Sequence, residues 1–373
     1  MKKSQFFERT DKIALFLLVV CLGFRDIYPS IGKDVYVFLA LIFAIPVTLL
    51  IRDLLCKRLT TKYFVGVLSV VLFYILIIPI NGNGAKYFLP LFIAGVAFRY
   101  TDYVYISKSF FIMQMFILII RLILANNGII VSDYLYTEKI DSGISYDLGY
   151  GNPNALGCVV FFLCCYLFLS RMNKYISFVA ILMISLITFD YTACRTSFFL
   201  SILLLLIYVM PFNLKEKIFY KNIILYLIPF MSLILLLFSW YLLDNYEVID
   251  LLLSGRLKYM GQLYEMFDSL LMFFTGVPID LGDLEFAVDN TIAYMLLCGG
   301  VCFIVIFLFQ YISIVKMKIY IPLNVMIVLV LIVLSGFTEA VMAKFGFAGA
   351  SFTWIFLFNK SYIVKNEEMI ILS

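Results

Sequence analysis

Two arginines of this sequence stand where a cation is expensive. Arg195 sits in Asp190-Tyr191-Thr192-Ala193-Cys194-Arg195-Thr196-Ser197, a hinge between two apolar runs, and an Arg close to lipid is costly unless it is paired. Arg256 follows Ser254-Gly255 and opens a stretch with apolar residues at Leu257, Met260, Leu263, Tyr264, Phe267, Leu270, Leu271 and Phe274. Those intervals of three and four describe an amphipathic helix. Ser254 is a good N-cap, which puts Arg256 in the first turn, where unpaired N–H groups and the positive end of the dipole already favour an anion. A guanidinium bonds two phosphate oxygens at once and stays charged at any relevant pH. Two such residues, remote in sequence, suit a diphosphate. The plainer alternatives are ion pairs, Arg195 to Asp190 and Arg256 to Asp250 or Glu247.

Other polar groups gather near the same hinges. Gly149-Tyr150-Gly151-Asn152-Pro153-Asn154 leads into an apolar run. Asn152 is driven extended by Pro153, which fits the first helical position, so Asn152 reads as an N-cap. The amide of Asn154 both donates and accepts, which suits a sugar or a phosphate. Asp289-Asn290 precedes another run; Asp289 is either a cap or a carboxylate able to take a proton from an attacking hydroxyl. Arg121, near the end of its run, either snorkels or touches a substrate. Glu339 pairs with Lys344 or belongs to the site. Tyr134, Tyr136, Tyr146 and Tyr150 are available to stack on sugar rings.

The elements that must carry these residues are membrane helices. Of 373 residues 64% are hydrophobic and 14% charged, against about 45–50% and about 25% in soluble domains. The sequence therefore predicts an all-α polytopic helix bundle, one integral-membrane domain over 1–373. There is no His, which removes His-based metal sites, Ser-His-Asp triads and Cys-His nucleophile pairs; no metal site is expected. A P-loop, a Rossmann fingerprint and an Asp-x-Asp motif are absent, which argues against ATP-driven pumping and direct use of a nucleotide sugar. No cofactor and no nucleic-acid partner is expected. The cysteines lie mostly in apolar runs and read as small packing residues.

A crossing helix needs about 20 apolar residues. Candidate spans run near 13–28, 35–51, 63–80, 88–98, 109–125, 154–170, 175–193, 197–212, 223–242, 291–313, 319–337 and 346–359, about twelve in all. The first follows Lys2, Lys3, Arg9 and Lys12 without a small-residue cleavage site and reads as a retained span. With the N-terminus inside, 19 of the 28 Lys and Arg fall on the cytoplasmic side and 8 on the other, as the positive-inside rule requires. Both termini are then cytoplasmic in a multi-pass protein of the cell membrane. Two outer loops, 126–153 and 244–290, are long, and the second holds nine carboxylates and the amphipathic helix. Long connections tend to be functional, so the working surface is expected to face out.

One ordered set of motifs carries a resemblance. It consists of Asn152-Pro153-Asn154 ahead of a span, Cys194-Arg195-Thr196-Ser197 at a hinge, Ser254-Gly255-Arg256 before a helix, and Phe274-Thr275-Gly276 closing on Asp289-Asn290 and a Gly299-Gly300 span. Over roughly residues 145–345 this resembles the O-antigen ligase / Wzy polysaccharide polymerase superfamily. The resemblance implies a metal-independent, inverting glycosyltransferase on the outer membrane face. Its donor is a sugar chain on polyprenyl (undecaprenyl) diphosphate and its acceptor a hydroxyl of another lipid-linked repeat, so the product is capsular or O-antigen-type polysaccharide. A chain-length regulator is the implied protein partner. By position, Arg195 and Arg256 match the diphosphate-binding arginines, with Asp289 where ligase members place a His proposed as base. Asn152, Asn154, Arg121, Ser197, Gly255, Asn290 and Glu339 are the implied substrate contacts. A chain without His fits the polymerase branch better than the ligase branch. The rival from another class is a lipid-oligosaccharide flippase, which places charges along a central cavity, whereas here polarity gathers in two outer loops.

Overall fold

Helices follow the apolar runs because a backbone shielded from water must satisfy its own N–H and C=O groups. The computed structural model describes residues 3–32, 34–81, 84–131, 133–135, 144–239, 241–242, 256–278, 288, 290–317, 321–337, 339 and 348–361. The first five helices are α1 (Lys3–Ile27), α2 (Tyr36–Leu55), α3 (Thr61–Asn81), α4 (Gly84–Ala97) and α5 (Tyr103–Asn126). A short antiparallel hairpin, β1 (Asp133–Leu135) with β2 (Ile144–Tyr146), pairs Tyr134 with Ser145. Then come α6 (Pro153–Leu169), α7 (Lys174–Thr192), α8 (Arg195–Val209), α9 (Phe212–Lys221) and α10 (Ile224–Leu237). The last are α11 (Arg256–Tyr264), α12 (Leu270–Thr275), α13 (Thr291–Lys316), α14 (Leu323–Ser335) and α15 (Ala348–Phe358).

The architecture is all-α apart from that hairpin. The centre is built from α4, α6, α14, α15 and the first half of α13, whose residues are buried nearly all round. A helix apolar on every side belongs in such a core. Trp354, fully buried, packs on Phe88, Phe303 and Phe358 there. Helices further out show two faces. On α5, Ser107, Phe110, Gln114, Ile117 and Arg121 are buried, whereas Ile112, Phe116, Ile119 and Ile123 are exposed. An exposed apolar stripe at helical spacing is a lipid-facing surface.

Side-chain bonds tie the helix ends into two separate groups. At one end Arg52 pairs with Asp11 (2.6 Å) and Asp53 (2.5 Å), and Arg58 pairs with Asp11 (2.9 Å). Tyr105 there donates to the Lys12 carbonyl (3.3 Å), Arg171 to the Tyr103 hydroxyl (2.7 Å), and Ser361 Oγ accepts from the Tyr103 N–H (3.2 Å). These segments are among those expected on the cytoplasmic side, and they share one end of the bundle. The other end holds Asp26, Arg121, the 144–152 segment, the α7–α8 hinge and the start of α13.

The expected twelve crossings are not supported. Among the described residues α2, α5, α7 and α13 are long and apolar enough to cross a membrane. A fifth results if α9 and α10, bent by 58° at their junction, count as one span. Phe88–Ala97, Pro153–Leu169, Arg195–Val209, Leu323–Ser335 and Ala348–Phe358 are apolar stretches of 10–17 residues, at or below the lower end of the length a crossing needs. Apolar content marks a run as hidden from water but does not fix how long its helix will be, so several runs read as spans fold as shorter helices. Several apolar helices of crossing length remain, as a multi-pass membrane protein requires.

Two further departures concern the second outer loop and the helix that follows it. The single amphipathic helix expected from Ser254 to Phe274 is two, α11 and α12. The first ends at Tyr264, and Ser269 starts the second, its Oγ accepting the Met272 N–H (3.3 Å). The span at Gly299-Gly300 is also broken. Gly300 takes φ 66°, ψ −167° inside α13, a conformation reserved for glycine. Beside the break, the Leu297 carbonyl accepts the Val277 N–H (2.8 Å) and the Gly299 carbonyl accepts the Tyr74 hydroxyl (3.1 Å). A Cβ on Gly300 would fall on the Phe274 backbone, so the turn after α12 docks directly on the broken helix.

Candidate functional site

The hinge between α7 and α8 is built by local chemistry. Ala193 adopts the left-handed conformation (φ 50°), its N–H donating to the Phe189 carbonyl (2.8 Å). The Cys194 N–H then donates to Thr192 Oγ1 (3.2 Å), and α8 starts at Arg195 without a side-chain cap. Arg195 is exposed and, among the described residues, has no ion pair; the pairing with Asp190 is not formed. Two residues on, Ser197 points the other way, as a step of about 200° around a helix dictates. It is buried, 3.4 Å from Cys194 Sγ and 3.7 Å from Cys158 Sγ of α6. Ser197 thus lines a small crevice between α6, α7 and α8, away from the exposed guanidinium.

Asn152 caps α6: extended (φ −160°, ψ 132°), its Oδ1 accepts the Asn154 N–H (2.7 Å), with Pro153 at the first helical position. Asn154 is half-buried one step into the helix. Cys194 lies against Gly157, one turn further along, and the Tyr146 and Tyr191 rings meet at 5.4 Å. The start of α6 and the α7–α8 hinge are therefore neighbours, which brings Asn152, Asn154, Ser197 and Arg195 to one end of the same three helices.

Arg121 occupies the adjoining position but in a different state. It is 1% exposed. Its guanidinium donates to the Leu148 carbonyl (2.8 Å) and to the Asp26 carbonyl, lies 3.8 Å from the Tyr150 ring centre, and is 3.8 Å from the Asp26 carboxylate. Gln114, two turns down the same face of α5, donates to the Tyr150 hydroxyl (3.3 Å). Burial, then the charge of Asp26, pushes the Tyr150 phenol well above its ordinary pKa. Tyr150 is a wall of this cluster, not a ring left open for a sugar. Asp26, Gln114 and Tyr150 were not foreseen as partners of Arg121. The seven-residue spacing of Gln114 and Arg121, which puts both on one helix face, was the available signal.

A third group forms where α13 begins. Asn290 is 1% exposed and caps the helix, accepting the N–H groups of Ile292 (2.9 Å) and Ala293 (3.0 Å). It also donates to the Phe337 carbonyl (3.3 Å). Thr291 donates its N–H to the Gly336 carbonyl (2.9 Å) and its hydroxyl to the Glu339 carbonyl (2.7 Å). Buried Glu339 is thereby set beside Asn290.

Arg256 opens α11, as its place after Ser254-Gly255 led one to expect, and is placed by its backbone alone. Met260 and Leu263 of α11 are buried, and Tyr264 donates to the Leu236 carbonyl (2.8 Å) at the end of α10. The helix rests on α10 and α13, whereas α8 rests on α6, α7 and α14; α14 touches both α8 and α10. Gly255, Asp289, Tyr136 and Lys344 lie outside the described residues, as does the side chain of Tyr134. What the arrangement offers chemically is an exposed cation at an uncapped helix start, at the end of the helices where Asn152 and Asn154 also lie. Such a helix start suits an anion. Neither a family model nor a curated protein nor a solved structure matches the chain.

Proposed function

We propose that this chain is a polymerase of oligosaccharide repeat units carried on polyprenyl diphosphate, acting on the outer face of a cell membrane with both termini in the cytoplasm. One observation carries the reading: Arg195 is exposed at an uncapped helix start and forms no ion pair among the described residues. A structural arginine near lipid would be expected to have such a partner. Arg256, also the first residue of a helix, is its counterpart on the large outer loop. In the reaction the acceptor hydroxyl oxygen attacks the anomeric carbon from the face opposite the diphosphate. The glycosyl–oxygen bond breaks, the lipid diphosphate leaves with the bonding pair, and the hydroxyl proton passes to Asp289. The bond to diphosphate is already activated, so the protein has only to stabilise the leaving charge and position the acceptor.

The test is the glycolipid and polymer profile of a deletion strain complemented with Arg195→Ala or Arg256→Ala. Long polymer disappears and single lipid-linked repeats accumulate, because removing one such electrostatic donor costs about 10²–10³ in rate. Normal polymer length in either variant at normal expression removes the assignment. Asp289→Asn slows chain growth, and an unchanged rate retires Asp289 as base.

A further inference from the structure

The end of the bundle opposite Arg195 holds cations of another kind. Arg99, just after α4, is 2% exposed. Its guanidinium lies 4.3 Å from the Tyr63 ring centre and 4.4 Å from that of Tyr100, and its Nε is buried without a hydrogen-bond partner. The Lys360 N–H, just after α15, donates to the Arg99 carbonyl (2.5 Å), and the Lys360 ammonium sits 5.8 Å from the same Tyr63 ring. Among the described residues no carboxylate pairs with either cation. Asp11 and Asp53, at the same end of the bundle, hold Arg52 and Arg58 instead. Arg58 in turn lies 4.7 Å from the Tyr100 ring centre, which adds a third positive group to the neighbourhood.

Two like charges at a membrane boundary repel strongly where the dielectric is low. Burial, then the charge of Arg99, lowers the pKa of the Lys360 amine. Ring faces offset part of that cost, but a buried cation is ordinarily paired. The cluster has the composition of an anion site with its anion left to be supplied. A guanidinium fork with an ammonium beside it matches a tetrahedral phosphate, and basic pockets between helix ends are where anionic headgroups are held.

We propose that Arg99 and Lys360, with Tyr63 between them, bind the phosphate group of an anionic phospholipid at the end of α3, α4 and α15. The proposal stands apart from the glycosyl-transfer reading, because it uses none of the same residues and lies at the other end of the helices.

The test places the full-length protein in nanodiscs of phosphatidylcholine alone or mixed with phosphatidylglycerol, with Tm measured and retained lipid counted by native mass spectrometry. Wild type keeps phosphatidylglycerol through delipidation and melts higher in the mixed discs. Lys360→Gln weakens retention about tenfold, the value of one charge-assisted contact; Arg99→Gln abolishes it; and Arg99→Lys, which keeps the charge but not the fork, falls between. If Arg99→Gln does not fold, Lys360→Gln, at an exposed residue, carries the test alone. Equal retention of both lipids by wild type, or unchanged retention in Lys360→Gln, overturns the site. Inorganic phosphate raising Tm in phosphatidylcholine discs, with no lipid retained, overturns the lipid source in favour of free phosphate. Retention that appears only after Glu367→Gln and Glu368→Gln makes the chain's own tail the occupant and overturns the proposal.

Discussion

Arg121 and Arg195 lie at the same end of the molecule, on two helices that both pack on α6, yet their surroundings are opposite. Arg121 is buried, with two carbonyls, one carboxylate and one aromatic face around it. Arg195 is exposed, at a helix start that no side chain caps. Residue type and nearness to a span end made the two look alike in sequence. The difference is that both terminal nitrogens of Arg121 are engaged in joining α1, α5 and the approach to α6, whereas Arg195 has its fork still to offer. Among arginines at a membrane boundary, unfilled bonding capacity is a better mark of a working residue than position.

The strongest way to break this contrast is Arg121→Met. It strips a buried cation from Asp26 and two carbonyls, and should lower unfolding free energy by about 3–5 kcal/mol, read as a fall in the denaturation midpoint in detergent. A variant as stable as wild type would make Arg121 as free as Arg195. Arg195→Ala should do the reverse. It costs the reaction about 2.7–4 kcal/mol of transition-state stabilisation while stability stays within about 0.5 kcal/mol; a large drop in Tm would show Arg195 to be structural. Asn152→Ala falls between the two regions, because it removes the cap of α6. It should cost about 1 kcal/mol of stability, and Asn152→Asp, which keeps the accepting oxygen, should restore it. The smallest effect belongs to Ser197→Ala. Its hydroxyl meets only sulfur atoms at 3.4 and 3.7 Å, contacts weaker than the roughly 1 kcal/mol of an ordinary hydrogen bond, so Tm should scarcely move.

Local signals in the sequence were the legible ones. Asn152-Pro153 and Asn290 start helices because side-chain oxygens two or three residues upstream can meet free N–H groups, a matter settled within one turn. The helical class followed from apolar content alone. What depended on partners far along the chain was hidden. Nothing in the α6 run says that it is sheathed by protein and not by lipid, so the division between central and lipid-facing helices was hidden. Asp26 and Arg121 are separated by 95 positions, and only packing α1 on α5 brings them together. The break at Gly300 was hidden for the same reason: Gly299-Gly300 marks tolerance of an unusual backbone, but the docking of Val277 and Tyr74 that makes use of it is a tertiary event.

That break has a mechanical corollary. Residues 277 and 290 are fastened to the same half-helix, the first through the Leu297 carbonyl and the second as its cap. Their anchor points are roughly 9 Å apart along the axis at 1.5 Å per residue. Val277 and Asn290 are thus fastened to one short post, and they travel with the upper half of α13, whatever the rest of the bundle does.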